Sequence, residues 1–274
     1  MDTDRYPVVA GVDGSLAAAG AVRWAADEAA RLGRPLQVTH AVDVPEPQPD
    51  DPATQRIALD AADEARHWQP GLQVTPVTRQ GTAARVLLEE SRQATQLVVG
   101  GRGTGGFPAL LLGSVSFHLA AYADCPVLVV HHAQRWARAD SLLPSHGPVV
   151  IGADGSGPAH FALQLAFQQA AARHVPLLAI RAYHEHRGGE DPAAAAFDEL
   201  GAEVGPWQAK YPQIPVELRA APGKPADVLL AAARNAVMLV VGARGQGGFA
   251  QLRLGGTAGQ VLQYAASPVL IARP

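Results

Sequence analysis

Only one cysteine, Cys125 in ADCPVLVV, stands in the whole chain. That excludes an intrachain disulfide and a multi-thiolate metal centre; Cys125 reads as a small apolar residue ahead of a strand opened by Pro126. Charge of either sign is in slight excess at most, with a formal net charge of -3 and a pI near 6.4. No basic field exists to collect nucleic acid or an anionic membrane surface. No apolar run reaches the roughly 18 to 20 residues a membrane span needs. The opening MDTDRYPVVAGVD has no basic start before a long apolar core, so no signal peptide is read and the expected location is cytoplasmic.

Familiar chemical signatures are missing too. GxxxxGK[ST] is absent, because Lys224 in PGKPAD is followed by Pro225 and lacks the upstream glycine. The dinucleotide fingerprint is absent after the first strand, where the loop reads GVDGS. No nucleophile elbow with Ser, His and Asp in order, no paired carboxylates at a fixed spacing and no metal cluster stands out, so an enzyme is not expected.

What is present is repetition. Residues 8–43, VVAGVDGSLAAAGAVRWAADEAARLGRPLQVTHAVD, lie on residues 149–184, VVIGADGSGPAHFALQLAFQQAAARHVPLLAIRAYH, at a constant offset of 141. Val8 meets Val149, Asp13 meets Asp154, Ser15 meets Ser156 and Ala41 meets Ala182. Further on, LVVGGRGTGGFPALLLGSVSFHLAAYADCPVLVV pairs with LVVGARGQGGFAQLRLGGTAGQVLQYAASPVLIA at an offset of 142. So long a period is no solenoid unit; each copy should own a core. At 274 residues with 48% hydrophobic side chains, the chain has room for two ordinary domains. We place them at 1–134 and 148–274, with a polar linker at 135–147. His131 and His132, where the polar stretch 131–148 begins, read as solvated rather than as a metal pair, since adjacent side chains on a strand end point opposite ways.

Within each copy, short apolar runs alternate with helix-length segments, five strands and four helices by pattern. Strands that are apolar throughout predict a parallel sheet with helices on both faces. Right-handed crossovers then predict an α/β, doubly wound fold in each of two tandem domains. Ligands in such sheets bind beyond the carboxyl ends of the strands. Three segments should meet there in the first copy: Gly11 to Ser15, His40 to Asp43, and Gly100 to Ser116.

Each carries groups suited to a nucleotide. Gly100 and Gly103 allow a close backbone approach to an anion. Gly113-Ser114-Val115-Ser116 opens a helix whose free N–H groups and positive dipole end attract phosphate, with the serine hydroxyls as further donors. Asp13 suits ribose hydroxyls or a metal-bound phosphate, against the plainer reading of a turn former. Ala41 and Val42 can offer backbone amides to an adenine edge. Arg102 and Arg244 either meet the nucleotide or point to solvent.

VVAGVDGS and VVIGADGS, the Gly100-x2-Gly103-x9-Gly113-Ser114 loop, and the closing CPVLVV and SPVLIA resemble the universal stress protein family in its tandem, actinobacterial-type form. The resemblance spans nearly the whole chain. It implies Rossmann-like domains of strand order 3-2-1-4-5 that bind ATP, with Mg2+, without catalytic machinery, as a nucleotide-dependent regulator in stress or dormancy. By position it implies nucleotide contacts from Gly11, Asp13, Ala41, Val42, Gly100, Arg102, Gly103, Gly113, Ser114, Val115 and Ser116. In the second copy it implies Gly152, Asp154, Ala182, Gly242, Arg244, Gly245, Gly255, Gly256 and Thr257. It further implies pairing of the two copies through their last strands, and pairing of whole chains as a homodimer. A scaffold without nucleotide and a slow ATPase are the alternatives.

The copies differ at one informative place. Gly256 stands where the first copy has Ser114, and Thr257 is displaced by one. A lost hydroxyl bond to a charged acceptor weakens binding by roughly 1.5 to 3 kcal/mol, so the first site is expected to bind ATP more tightly. Residues 43–55 and 184–196 read as loops that could act as lids, and His184-Glu185-His186 as a loop rather than a metal site.

Overall fold

The structure, a computed structural model, describes residues 6–43, 52–103, 112–137, 143–144, 146–184, 191–247 and 253–273. It divides into two units, Met1–Leu143 and Pro144–Pro274.

The first unit runs β1 (Val8–Val12), α1 (Leu16–Leu32), β2 (Leu36–Val42), α2 (Pro52–Trp68), β3 (Val74–Gln80), α3 (Ala83–Ser91), β4 (Gln96–Gly100), α4 (Ser114–Tyr122) and β5 (Val127–Val130). All pairings are parallel and give the order β3-β2-β1-β4-β5. The strands are apolar on both sides because helices cover both faces: Val8, Val9, Leu97, Val98 and Leu128 are all buried. Pro76 sits within β3, which an edge strand tolerates because its missing N–H faces no neighbour.

The second unit repeats the scheme with β6 (Val149–Gly152), α5 (Gly157–Arg173), β7 (Leu177–Tyr183), α6 (Pro192–Lys210), β8 (Val216–Pro222), α7 (Pro225–Ala232), β9 (Met238–Gly242), α8 (Gly256–Tyr264) and β10 (Val269–Ala272). Its order is β8-β7-β6-β9-β10, again parallel. The predicted α/β class and strand order hold in both units.

Two local expectations change. Residues 52–55 and 192–196 were expected in loops, yet they open α2 and α6, each with a proline in the first turn, where its lacking N–H has no helical partner to lose. Residues 44–51 and 185–190, including two residues of the His184-Glu185-His186 run, lie outside the described residues.

The expected solvated linker also begins as packed structure. His131 is buried, and Ala133–Trp136 forms a 3-10 turn against α1. The Trp136 ring meets Trp24 edge-on at 5.4 Å, and its carbonyl accepts from Arg23 Nη1 at 3.3 Å. Arg23 in turn lies 3.8 Å from the centre of the Trp68 ring, a cation over an aromatic face. Burial pulls the Arg23 pKa below its usual value, against the opposing pull of Asp27. Gly20 makes the crossing possible, since a Cβ there would overlap the Ala133 carbonyl.

Candidate functional site at the carboxyl edge

In each unit the first strand ends in a turn that immediately starts a helix. Asp13 Oδ1 accepts from the Ser15 N–H at 3.1 Å, and Ser15 Oγ caps α1 by accepting from the Ala18 N–H at 3.1 Å. The second unit reproduces this with Asp154 Oδ1 on Ser156 N–H at 3.1 Å and Ser156 Oγ on Ala159 N–H at 3.2 Å. Both aspartates are therefore turn formers, and each carboxylate keeps acceptor capacity, since an ionised carboxylate offers about four lone-pair sites.

The glycine loops close onto those aspartates. Gly103 and Gly245 approach Asp13 and Asp154 so nearly that a Cβ at either would collide with the Oδ2 atom. Asp154 Oδ2 also accepts from the Gln246 N–H at 2.9 Å, a tie between turn and loop that no motif in the sequence announced. The loop ends are clamped by Gly113 N–H on the Gly101 carbonyl at 2.7 Å and Gly255 N–H on the Ala243 carbonyl at 2.8 Å.

Beyond the clamps, α4 and α8 begin with bare backbone donors. The first intrahelical bond of α4 is Phe117 N–H to Gly113, so the N–H groups of Ser114, Val115 and Ser116 have no helical acceptor. Gly259 N–H to Gly255 leaves Gly256, Thr257 and Ala258 in the same state. Ser116 requires a correction. Its side chain is buried and its Oγ donates to the Gly100 carbonyl at 2.8 Å, so the hydroxyl ties β4 to α4 and only its backbone N–H remains for a ligand. Gly11 and Gly152 owe their size to packing as well: a Cβ at either would stand 2.7 Å from Leu87 Cδ1 or Leu229 Cδ1.

The second strand overhangs the first. β1 pairs as far as Val12↔His40, and β2 continues to Val42. Successive residues of a strand turn their backbone groups to alternate sides. The Val42 carbonyl accepts from Gly81 N–H at 2.9 Å on the β3 side, so Ala41 faces the side where β1 has ended. In the second unit, Ala153 N–H donates to Ile180 at 3.0 Å and Gly223 N–H to Tyr183 at 2.9 Å, so Ala182 takes the open side. This removes Val42 from the expected base-edge pair, a distinction that depends on register.

In the second unit these pieces enclose a cavity of about 580 Å³. Gly152, Asp154, Ala182 and Gly242 form part of its lining, as do Arg244, Gly245, Gly255, Gly256 and Thr257. Every site residue expected in that copy therefore meets in one place. In the first unit Asp13 and Gly103 meet directly, Gly100 packs on the Ala17 carbonyl, and Arg102 neighbours Gly113 in the loop. The stretch 104–111 lies outside the described residues. No group of three or more His, Cys, Asp or Glu stands together among the described residues, and no described helix is long and apolar enough to cross a membrane.

A family model for the universal stress protein family matches residues 6–131 and again 146–273. The chain belongs to the universal stress protein family. A universal stress protein of Mycolicibacterium smegmatis is 34% identical over 98% of this chain and 97% of its own length. One of Mycobacterium tuberculosis is 33% identical over 97% of this chain and 96% of its own. Among solved structures, a universal stress protein from Archaeoglobus fulgidus covers 98% of this chain and 96% of its own at a TM-score of 0.72 and 18% identity, a likeness of fold. The family assignment agrees with the tandem arrangement, since two matches fall on one chain.

Among the lining residues that sequence reasoning passed over, one is charged. Arg181 occupies the position of His40 in the repeat and reaches the same cavity. Its Nη1 donates to Glu203 Oε1 at 2.6 Å, and Nη2 pairs with Glu199. The signal available was a cation replacing histidine in an otherwise matching segment, with two glutamates four apart on one helix face.

Proposed function

We propose that each unit of this universal stress protein binds an adenine nucleotide, ATP with Mg2+, at the carboxyl edge of its sheet, and that the bound state regulates a partner in stress or dormancy. The observation that carries this reading is the second-unit cavity. At about 580 Å³ it is of ordinary size for a small-molecule site. It brings together an acceptor, a base-facing backbone and a set of bare helix N–H donors. Asp154 takes ribose hydroxyls or a metal-bound phosphate, Ala182 meets the adenine edge, and the N-terminus of α8 takes phosphate through Gly256 and Thr257. Asp13, Ala41, Gly103 and the N-terminus of α4 do the same in the first unit. The glycines at 103 and 245 fit this role, because any side chain would fill the space beside the aspartate.

No step of hydrolysis is assigned to the site. ATP acts as a ligand whose presence changes the surface offered to a partner, and the differential affinity of occupied and empty forms sets the signal. Whole chains are proposed to pair as homodimers, which light scattering over a range of concentrations checks.

The test is the nucleotide content of protein purified without added ligand, counted per chain after denaturation and ion-exchange chromatography. Between one and two ATP per chain is expected. No nucleotide, and no binding on addition of Mg-ATP, overturns the reading in favour of a surface-only scaffold. Turnover that disappears with Asp13→Ala would replace it with an ATPase.

A further inference from the structure

We infer that Arg181 makes the second site more selective for ribose over 2′-deoxyribose nucleotides than the first site. The inference rests on the proposed nucleotide reading and deepens it.

Arg181 and Asp154 line the same cavity and flank the same turn. A Cβ built on Gly155 would stand 3.7 Å from Arg181 Nη1 and 3.1 Å from Glu203 Oε1, so the guanidinium lies beside the residue that follows Asp154. The Arg181 side chain is 14% exposed and that of Glu203 11%. With Glu199 bonding the other arm, the guanidinium is fixed in plane between two carboxylates of α6. A guanidinium carries five N–H donors, and two carboxylate contacts do not exhaust them.

A donor and an acceptor that line one cavity suit a group that can both give and take a hydrogen bond. An ionised Asp only accepts and an Arg only donates, whereas a hydroxyl does both. A ribose hydroxyl can donate to Asp154 while accepting from Arg181, and a 2′-deoxy sugar leaves both without that partner. Sites built to hydrogen-bond a substrate hydroxyl reject the analogue that lacks it much more strongly than apolar walls discriminate.

The first unit is built otherwise at this wall. His40 Nδ1 lies 2.9 Å from the Val12 carbonyl, in a bond to its own sheet. The turn at Gly14 is backed by Ile57, whose Cδ1 would lie 3.6 Å from a Cβ there. Asp13 is present, but an aliphatic chain takes the place of the charged cluster.

The two sites are separated with Gly103→Val, which blocks the first, and Gly245→Val, which blocks the second. ATP and 2′-deoxy-ATP are then titrated into each variant by calorimetry. The second site, where both Asp154 and Arg181 meet the hydroxyl, is expected to prefer ATP about tenfold more strongly than the first, where Asp13 meets it alone. Arg181→His, the residue the first unit has, should bring the second ratio down to the first. Equal ratios at the two sites overturn the inference, and that comparison needs no change at Arg181. A well-folded Arg181→His/Glu203→Gln protein with an undiminished ratio overturns it as well. Failure of both nucleotides to bind at either site overturns the nucleotide reading itself.

Discussion

At the same helical position the first unit has Gly20 and the second has Phe161, and the reason lies outside the helix. In α1 the chain returning from β5 crosses over Gly20 and seats Trp136 against Trp24. In α5 the corresponding residues are Phe161 and Leu165, both half-buried. One fold thus completes the same helix face in two ways, with a borrowed segment in one unit and with its own side chains in the other. The repeat keeps the sheet and the aspartate turn while the outer helix face varies.

The largest effect should follow from breaking the borrowed contact. Trp136→Ala is expected to destabilise the first unit by about 3 to 5 kcal/mol, the usual range for truncating a buried aromatic. Thermal unfolding would then show two separated transitions, with the second unit melting near its former temperature. A single shifted transition would mean that the units unfold together.

Next come the two aspartates. Asp13→Ala and Asp154→Ala should each weaken nucleotide binding at their own unit by about 1.5 to 3 kcal/mol, the worth of a hydrogen bond to a charged group. Calorimetry should show that Asp13→Ala removes the tighter phase. If Asp154→Ala removes it, the ranking of the two sites is reversed.

A smaller change sharpens the comparison at the phosphate end. Gly256→Ser gives the second unit the residue of the first and adds a hydroxyl at the start of α8. ATP affinity at that site should rise about tenfold, near the lower end of the roughly 1.5 to 3 kcal/mol of a hydroxyl bond to a charged acceptor. No change would place the asymmetry elsewhere in the glycine loop.

The smallest effect concerns the far ends of α1 and α5. Gly33 closes α1 in the left-handed region at φ 63°, and its counterpart His174 adopts φ 54°. A side chain there is unfavourable by about 1 kcal/mol, so His174→Gly should stabilise the second unit by roughly that amount, read as a higher midpoint in chemical denaturation.

Much of this is legible in the sequence, for identifiable physical reasons. A continuous apolar strand such as LVVG can only sit in the middle of a covered sheet, and alternation with helical periods leaves parallel pairing as the consistent closure. The repeat then located the same turn and glycine loop twice. Less legible were contacts between residues far apart in the chain. Ser116 looks like a phosphate donor until its hydroxyl is found on Gly100. Residues 133–136 look polar and linker-like because Trp136 is a single buried anchor amid charged neighbours.

From its sequence alone, this protein is committed to two α/β units, to aspartate turns at the ends of β1 and β6, and to glycine loops that open α4 and α8. These follow from local periodicity, turn chemistry and internal repetition, all properties of neighbouring residues. Tertiary structure alone decided which amide of an overhanging strand faces the open side beyond β1, since a one-residue change of register would exchange Ala41 for Val42. It also decided that Arg181 meets Glu199 and Glu203 at the cavity wall, and that Trp136 folds back on Trp24, because those meetings depend on how helices settle over the sheet.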